Sequence, residues 1–398
     1  LIISQVLAGV GVASGIAVGG LLAERLSGTV ALAGFAQTSS VLGAGLWAIP
    51  LARLAGRRGR RWGLAAGYLL ALVGTGLVFL AAAVQFVPLL FVGTAAFGAA
   101  TAAGLQARFA AAEVVGVRYR ARALSVVMWA TTLGSVAGPN LSEVGSRLGR
   151  SLGIEPLTGP YLFSLIAFAG AAMVLSVGLA GRGTTEVDHD PSRLVQRPTG
   201  LVRAIRTGLQ DPRTRLAIIA VICSHTIMVG VMVMTPLHMT HHGMTLDLVG
   251  LVLSIHIFGM YGASPIMGWL TDRLGGAAVI GIGVIIFAGA LVLGGFADTT
   301  TGPVISLALG LLGLGWSAGM IGGSSLLAES VSDQNRVSLQ GGTDALMNLA
   351  AAGSSALSGL VMGLAGFPAL NLIAAVVAVP MAVLALRGML ARRAATGA

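Results

Sequence analysis

Apolar residues run in long blocks, each closed by a short polar or arginine-bearing break, and this rhythm repeats along the whole chain. An α-helix of roughly 20 residues crosses the ~30 Å of hydrocarbon in a bilayer. The blocks predict spans at residues 1–23, 29–51, 62–84, 86–109, 123–145, 159–180, 216–238, 247–270, 277–297, 302–326, 337–362 and 367–389. The expected fold class is all-α integral membrane, with twelve transmembrane helices. Residues 181–214 form the one long polar stretch and divide the spans six and six. This gives an N-terminal six-helix bundle at 1–180, a cytoplasmic linker at 181–214, and a C-terminal six-helix bundle with a short cytoplasmic tail at 215–398. Within the linker, residues 200–210 read either as an amphipathic helix on the membrane surface or as solvated chain.

Composition agrees with that pattern. The chain is 56% hydrophobic and 10% charged, and its mean hydropathy of +0.90 excludes a water-soluble globular class. Its 59 glycines suit close helix approach in lipid. The net charge of +10 is an orientation signal rather than a nucleic-acid footprint, because the basic residues, all of them Arg, collect in alternate loops. Arg53, Arg57, Arg58, Arg60 and Arg61 follow span 2, and Arg118, Arg120 and Arg122 follow span 4. The linker adds Arg182 to Arg215, and the tail Arg387, Arg392 and Arg393. Only Arg25, Arg147 and Arg150 fall on the other side, so the positive-inside rule places both termini in the cytoplasm. The single Cys223 rules out a disulfide framework within the chain. The chain opens at Leu1 rather than Met, so a few preceding residues are expected, and no cleavable signal is evident.

The two halves also repeat in detail. Glu113, a short loop and Arg122 join spans 4 and 5; Glu329, a short loop and Arg336 join spans 10 and 11. After span 8, Gly268, Leu270, Asp272, Arg273 and Gly275 resemble the G-x-L-x-D-R-x-G loop motif of the major facilitator superfamily. After span 2, a degenerate copy keeps Leu51, Ala52, Gly56, Arg57 and Arg58, with Arg53 at the acidic position. Gly134, Gly138 and Pro139 form part of the G-x-x-x-G-P pattern of antiporters in that superfamily, though Ser125, Ser142 and Glu143 replace its other glycines. The resemblance covers the whole chain. It implies two six-helix bundles with substrate bound between them near the midplane and access alternating by rocking.

Four residues separate this chain from a generic many-helix transporter. Met228 and Met232 lie in span 7, and His256 and Met260 in span 8, each pair spaced i, i+4 and therefore about 40° apart on one helix face. Thioether and imidazole are neutral soft ligands suited to copper. Methionine is also an ordinary filler of apolar helices, whereas an ionisable residue within a span marks a pathway by default. The M-x-x-x-M and H-x-x-x-M pairs resemble the signature of the CcoA-type bacterial copper importers. That resemblance implies copper as the transported substrate, Met228, Met232, His256 and Met260 as its ligands, and supply of copper for cbb3-type cytochrome oxidase assembly in the bacterial cytoplasmic membrane. Expected partners are the copper ion, the lipid bilayer, and cytoplasmic copper chaperones or oxidase assembly factors. The expected state is a monomer, with no nucleic acid, no prosthetic group and no enzymatic activity.

Accessory metal ligands are sought at both ends of span 7. His238, Met239, His241 and His242 suggest a loading station on the outer side, against solvated loop histidines as the alternative, and Cys223 and His225 suggest a release point, against simple packing. Arg336, Gln340 and Asp344 share one face at i, i+4, i+8, making Asp344 a candidate proton relay or a partner in a structural ion pair. Glu113 with Arg122, Glu329 with Arg336, and Asp272 with Arg273 are the candidate coupling and gating residues. The competing function is proton-coupled efflux of a small organic compound, favoured by Gly134, Gly138 and Pro139.

Overall fold

A computed structural model describes residues 1–113, 120–178, 201–329 and 333–396. Among the described residues there is no strand, and the helices are α1 (Ile2–Ser27), α2 (Ala33–Arg58), α3 (Arg60–Ala83), α4 (Val87–Phe97), α5 (Ala99–Glu113), α6 (Arg120–Asn140), α7 (Ser142–Ser151) and α8 (Pro160–Gly178). They continue with α9 (Leu201–Gly208), α10 (Pro212–His241), α11 (Leu246–Tyr261), α12 (Ser264–Leu274), α13 (Gly276–Phe296), α14 (Gly302–Glu329) and α15 (Asp333–Thr396). Most of the linker, 181–200, lies outside the described residues; α9 occupies the place of the helix expected at 200–210.

Ten stretches among the described residues are long and apolar enough to cross a bilayer, against twelve expected. Spans 337–362 and 367–389 run on as the single 64-residue α15, broken at Gly366, whose φ of 76° is open to glycine and strained for other residues. Span 123–145 falls mainly on α6, and the side chains of residues 120–128 lie outside the described residues. The small residues of α6 serve packing. A Cβ on Gly134 would meet the Val6 carbonyl oxygen and lie 2.8 Å from the Val10 nitrogen, and one on Gly138 would lie 2.7 Å from the Ala13 Cβ. α1 and α6 therefore approach backbone to backbone. Beside that seam the Gln5 side chain donates to the Tyr68 hydroxyl at 2.9 Å and accepts from Thr131 at 3.2 Å. Burial of Gln5 and Tyr68 makes these bonds a requirement, since unpaired polar atoms in lipid cost several kcal/mol (about 1–3 in a protein interior).

The repeated loop motif is confirmed in form and shifted in register. Gly275 joins α12 to α13 with φ 83° and ψ 155°; in the first half Gly59 joins α2 to α3 with φ 91° and ψ 156°. The glycine equivalent to Gly275 is thus Gly59 rather than Gly56. This correction puts Gly56, not Arg53, in the place of Asp272. Leucines and arginines recur there closely enough to fit a register three residues away, whereas the backbone turn admits only one. The first copy lacks the acid in either alignment.

The chain forms two compact units, Leu1–Thr185 with Val233–Ser254 and Ser355–Gly363, and Glu186–Met232 with Ile255–Ser354 and Leu364–Ala398. In the first unit, late segments of the chain are bonded to early ones. Asn140 Nδ2 donates to Ser254 Oγ at 2.6 Å, and Ser254 Oγ donates to the Val136 carbonyl at 3.0 Å. Ser355 Oγ donates to the Gly34 carbonyl at 2.9 Å. Arg147 lies 3.7 Å from Asp247 and 3.3 Å from Glu143, and His241 Nε2 lies 2.7 Å from Glu24 Oε1. The exposed ion pairs add little energy individually. Backbone approach at Gly34 and Gly359, where a Cβ on Gly359 would stand 2.6 Å from the Ala31 carbonyl oxygen, marks the tightest part of this contact.

Candidate metal path

α10 begins at a built cap. Asp211 Oδ2 accepts from the Thr214 backbone N–H and from its hydroxyl, both at 2.7 Å, and Pro212 occupies the first helical position, where no N–H is missed. The Thr214 hydroxyl and backbone N–H hold the Asp211 carboxyl below the usual carboxylate range. Its contribution is therefore present at neutral pH and is lost as pH falls through that lowered value. Asp211→Ala is expected to cost about 1 kcal/mol, read as a lower unfolding midpoint of the detergent-purified protein at pH 7. The difference from the parent should shrink in acid.

The helix so anchored carries Met228, buried, and Met232, half-buried, one turn apart on one face. α11 carries His256 and Met260, both buried, at the same spacing. All four residues belong to the second unit. His256 is held by α14: its Nδ1 lies 2.9 Å from the Leu309 carbonyl oxygen. A carbonyl only accepts, so Nδ1 bears the proton and Nε2 presents a lone pair. That Nε2 is buried with no hydrogen-bond partner among the described residues. Glycines make the arrangement possible, because a Cβ on Gly259 would stand 2.6 Å from the Gly310 carbonyl and one on Gly313 would stand 3.1 Å from the Met260 nitrogen. α11 and α14 thus come close enough for the imidazole to reach backbone on the neighbouring helix.

The accessory candidates separate. His225 Nδ1 accepts from Trp316 Nε1 at 3.0 Å, so in its neutral form the proton sits on Nε2 and neither nitrogen is a ready ligand. Cys223 is a free, buried thiol. At the far end of α10, the rings of His238 and His242 have centroids 4.4 Å apart, while His241 turns to Glu24. Met239 is fully buried. Among the described residues no group of three or more His, Cys, Asp and Glu side chains is placed to hold a metal ion.

Of the coupling candidates, Asp344 is exposed and Gln340 half-buried on α15. Arg273 lies over the Trp269 ring at 4.5 Å, beside an exposed Asp272. Glu329 accepts from Ser325 at 3.0 Å. The side chains of Glu113, Arg122 and Arg336, with the loops that follow Glu113 and Glu329, lie outside the described residues. Residues that the sequence reading passed over are Gln5, Glu24, Asn140, Ser254 and Ser355, each bonded across helices distant in sequence. Gln5 and Asn140 had a usable signal, as amides within apolar spans; Glu24, Ser254 and Ser355 carried none.

A profile of the Major Facilitator Superfamily matches residues 1–246 and 217–397. The chain is 36% identical over 389 residues to the uncharacterized MFS-type transporter YdeG of Bacillus subtilis, covering 93% of this chain and 86% of that protein. It is 29% identical over 381 residues to the riboflavin transporter RfnT of Brucella anthropi, covering 94% and 90%. Among solved structures it is similar to the xylose transporter XylE from E. coli in a partially occluded inward-open conformation, with TM-score 0.69 at 17% identity over 97% of this chain and 95% of that one. The helical order, the duplicated glycine turn and the profile across both halves place the chain in the Major Facilitator Superfamily, as a multi-pass membrane transporter and not an enzyme.

Proposed function

We propose that this transporter imports copper across the bacterial cytoplasmic membrane by alternating access, supplying cbb3-type cytochrome oxidase assembly, with Met228, Met232, His256 and Met260 as the ligands of the ion in transit. One observation carries the reading: the fully buried His256 holds its proton on Nδ1 by donating to Leu309 and keeps an unpartnered Nε2 one turn from Met260. A ligating imidazole fixed by its second nitrogen on a backbone carbonyl is a recurrent metal-site arrangement. In hydrocarbon an unsatisfied polar atom is expensive and by default functional. A neutral thioether and imidazole set suits Cu(I) and adds no fixed charge to the membrane interior, so it can both load and release.

The two-bundle arrangement divided at 181–214, cytoplasmic termini, a monomeric state and delivery to copper chaperones or oxidase assembly factors are parts of the same proposal. The bonds of His241, Asp247, Ser254 and Ser355 to early helices support a state closed at the His241 end, the outer end in this orientation. A second reading, uptake of an organic solute, is favoured by the similarity to a protein named as a riboflavin transporter. The efflux reading is weakened, since Gly134 and Gly138 have a packing role between α1 and α6.

Radiolabelled copper and riboflavin uptake, measured side by side in cells with and without the chain, decides between them. Copper accumulation above the empty cells, with riboflavin unchanged, is the expected result. Riboflavin accumulation with copper unchanged would sink the copper assignment.

A further inference from the structure

The outer end of α10 holds a second pair of imidazoles outside the four-residue path. His238 and His242 are spaced i, i+4, and their ring centroids stand 4.4 Å apart with planes tilted by 52°. His242 Nδ1 lies 2.8 Å from the His238 carbonyl oxygen, which accepts, so His242 carries its proton on Nδ1 and presents the Nε2 lone pair. Donation of the non-ligating N–H to a backbone carbonyl is the usual way that a metal-binding histidine is oriented.

The spacing selects a geometry. Were one nitrogen of each ring turned to a shared ion at about 2.0–2.1 Å, the ion would lie about 3.1 Å from each ring centre, and centroids 4.4 Å apart would subtend roughly 90° at it. Adjacent positions of a square-planar or tetragonal ion are related by that angle, and nitrogen ligation of this kind belongs to copper(II) or nickel(II). Tetrahedral zinc would ask for wider separation. The neighbouring His241 is not part of the set, being committed to Glu24 at 2.7 Å, and this splits the three histidines into a pair and a single latch residue. His238 is buried and His242 exposed, so the pair reaches from the helix to the surface.

We infer that His238 and His242 form a bidentate capture site for a divalent cation of copper(II) class, with water completing its coordination. The binding itself is independent of the cargo; its role as an entry station ahead of Met228 and Met232 rests on the copper-import reading.

The test uses the purified full-length chain in lipid nanodiscs with one equivalent of copper(II), read by electron paramagnetic resonance for imidazole nitrogen couplings. The parent is expected to show a tetragonal signal coupled to two imidazoles, and His241→Gln and the Met228→Ala/His256→Ala double variant should keep it. His242→Gln and His238→Gln should each remove one coupled nitrogen and weaken binding at least ten-fold, in protein that elutes like the parent. A signal unchanged in both single variants, or lost in the Met228→Ala/His256→Ala protein, overturns the site. Loss of copper uptake as a function with the resonance result intact would overturn the transport reading and leave the site standing.

Discussion

On the proposed copper-import reading, replacing His256 by leucine is expected to abolish copper uptake, by at least about a hundred-fold, while the protein reaches the membrane in normal amount. Removal of an orienting partner from a metal-binding histidine typically costs 10–100-fold, and loss of the ligand itself should exceed that. Stability should move little or in the opposite direction. His256 is fully buried with an unpartnered Nε2, and such an orphan costs about 1–3 kcal/mol in a protein interior. Leucine removes that penalty at the expense of one side-chain bond to the Leu309 carbonyl. A residue that destabilises its own helix packing and is still required for transport is the pattern expected of a functional site. Gly313→Ala gives the companion test of positioning. Its Cβ would press on the His256 carbonyl oxygen and the Met260 nitrogen, displacing α11 without removing a ligand. Uptake should fall about ten-fold, through weaker metal binding. Equal uptake by the parent and His256→Leu would remove His256 from the path.

Oxidising a Val30→Cys/Gly363→Cys pair in a Cys223→Ser background is expected to stop transport, and reduction to restore it. A Cβ built on Gly363 lies 3.6 Å from the Val30 Cβ, within the 3.5–4.5 Å range that a disulfide spans. The pair brackets the contact in which Ser355 bonds to Gly34 and Gly359 meets the Ala31 carbonyl. If that contact closes one end of the proposed path and must part in each cycle, a covalent bond across it arrests the cycle with the proposed ligands unchanged. Gly34→Leu should act from the opposite direction. Its side chain would occupy the place of the Ser355 carbonyl oxygen, and overpacking of this kind costs typically 1–3 kcal/mol. The closed end is then disfavoured about 5–150-fold in population, and cross-linking of the cysteine pair should drop accordingly. Undiminished transport by the fully cross-linked protein would mean that this end does not open.

The spans and their boundaries were legible because a membrane helix announces itself by length and apolarity alone. Two expected spans run on as one helix because the long α15 passes its break at Gly366 without a polar interruption, and the small residues of α6 admit α1. The helical spacing of Met228, Met232, His256 and Met260 was legible for the same reason, since i, i+4 needs only a helix. The support of His256 was not, because its partner is a backbone carbonyl 53 residues away, and a carbonyl has no signature in sequence. Nor was the division of His238, His241 and His242 between a pair of tilted rings and a bond to Glu24, which depends on where the end of α10 meets α1. The slip in the first loop motif has another origin: arginines repeat there so densely that only the positive φ of Gly59 fixes the alignment.

X-ray absorption at the copper edge on the purified chain loaded with one equivalent of Cu(I) tests the central claim most directly. The account predicts mixed sulfur and imidazole nitrogen around the metal, with sulfur scattering reduced in Met228→Ala/Met232→Ala and imidazole lost in His256→Leu. A spectrum with no sulfur ligand, or one unaltered in these variants, would contradict it.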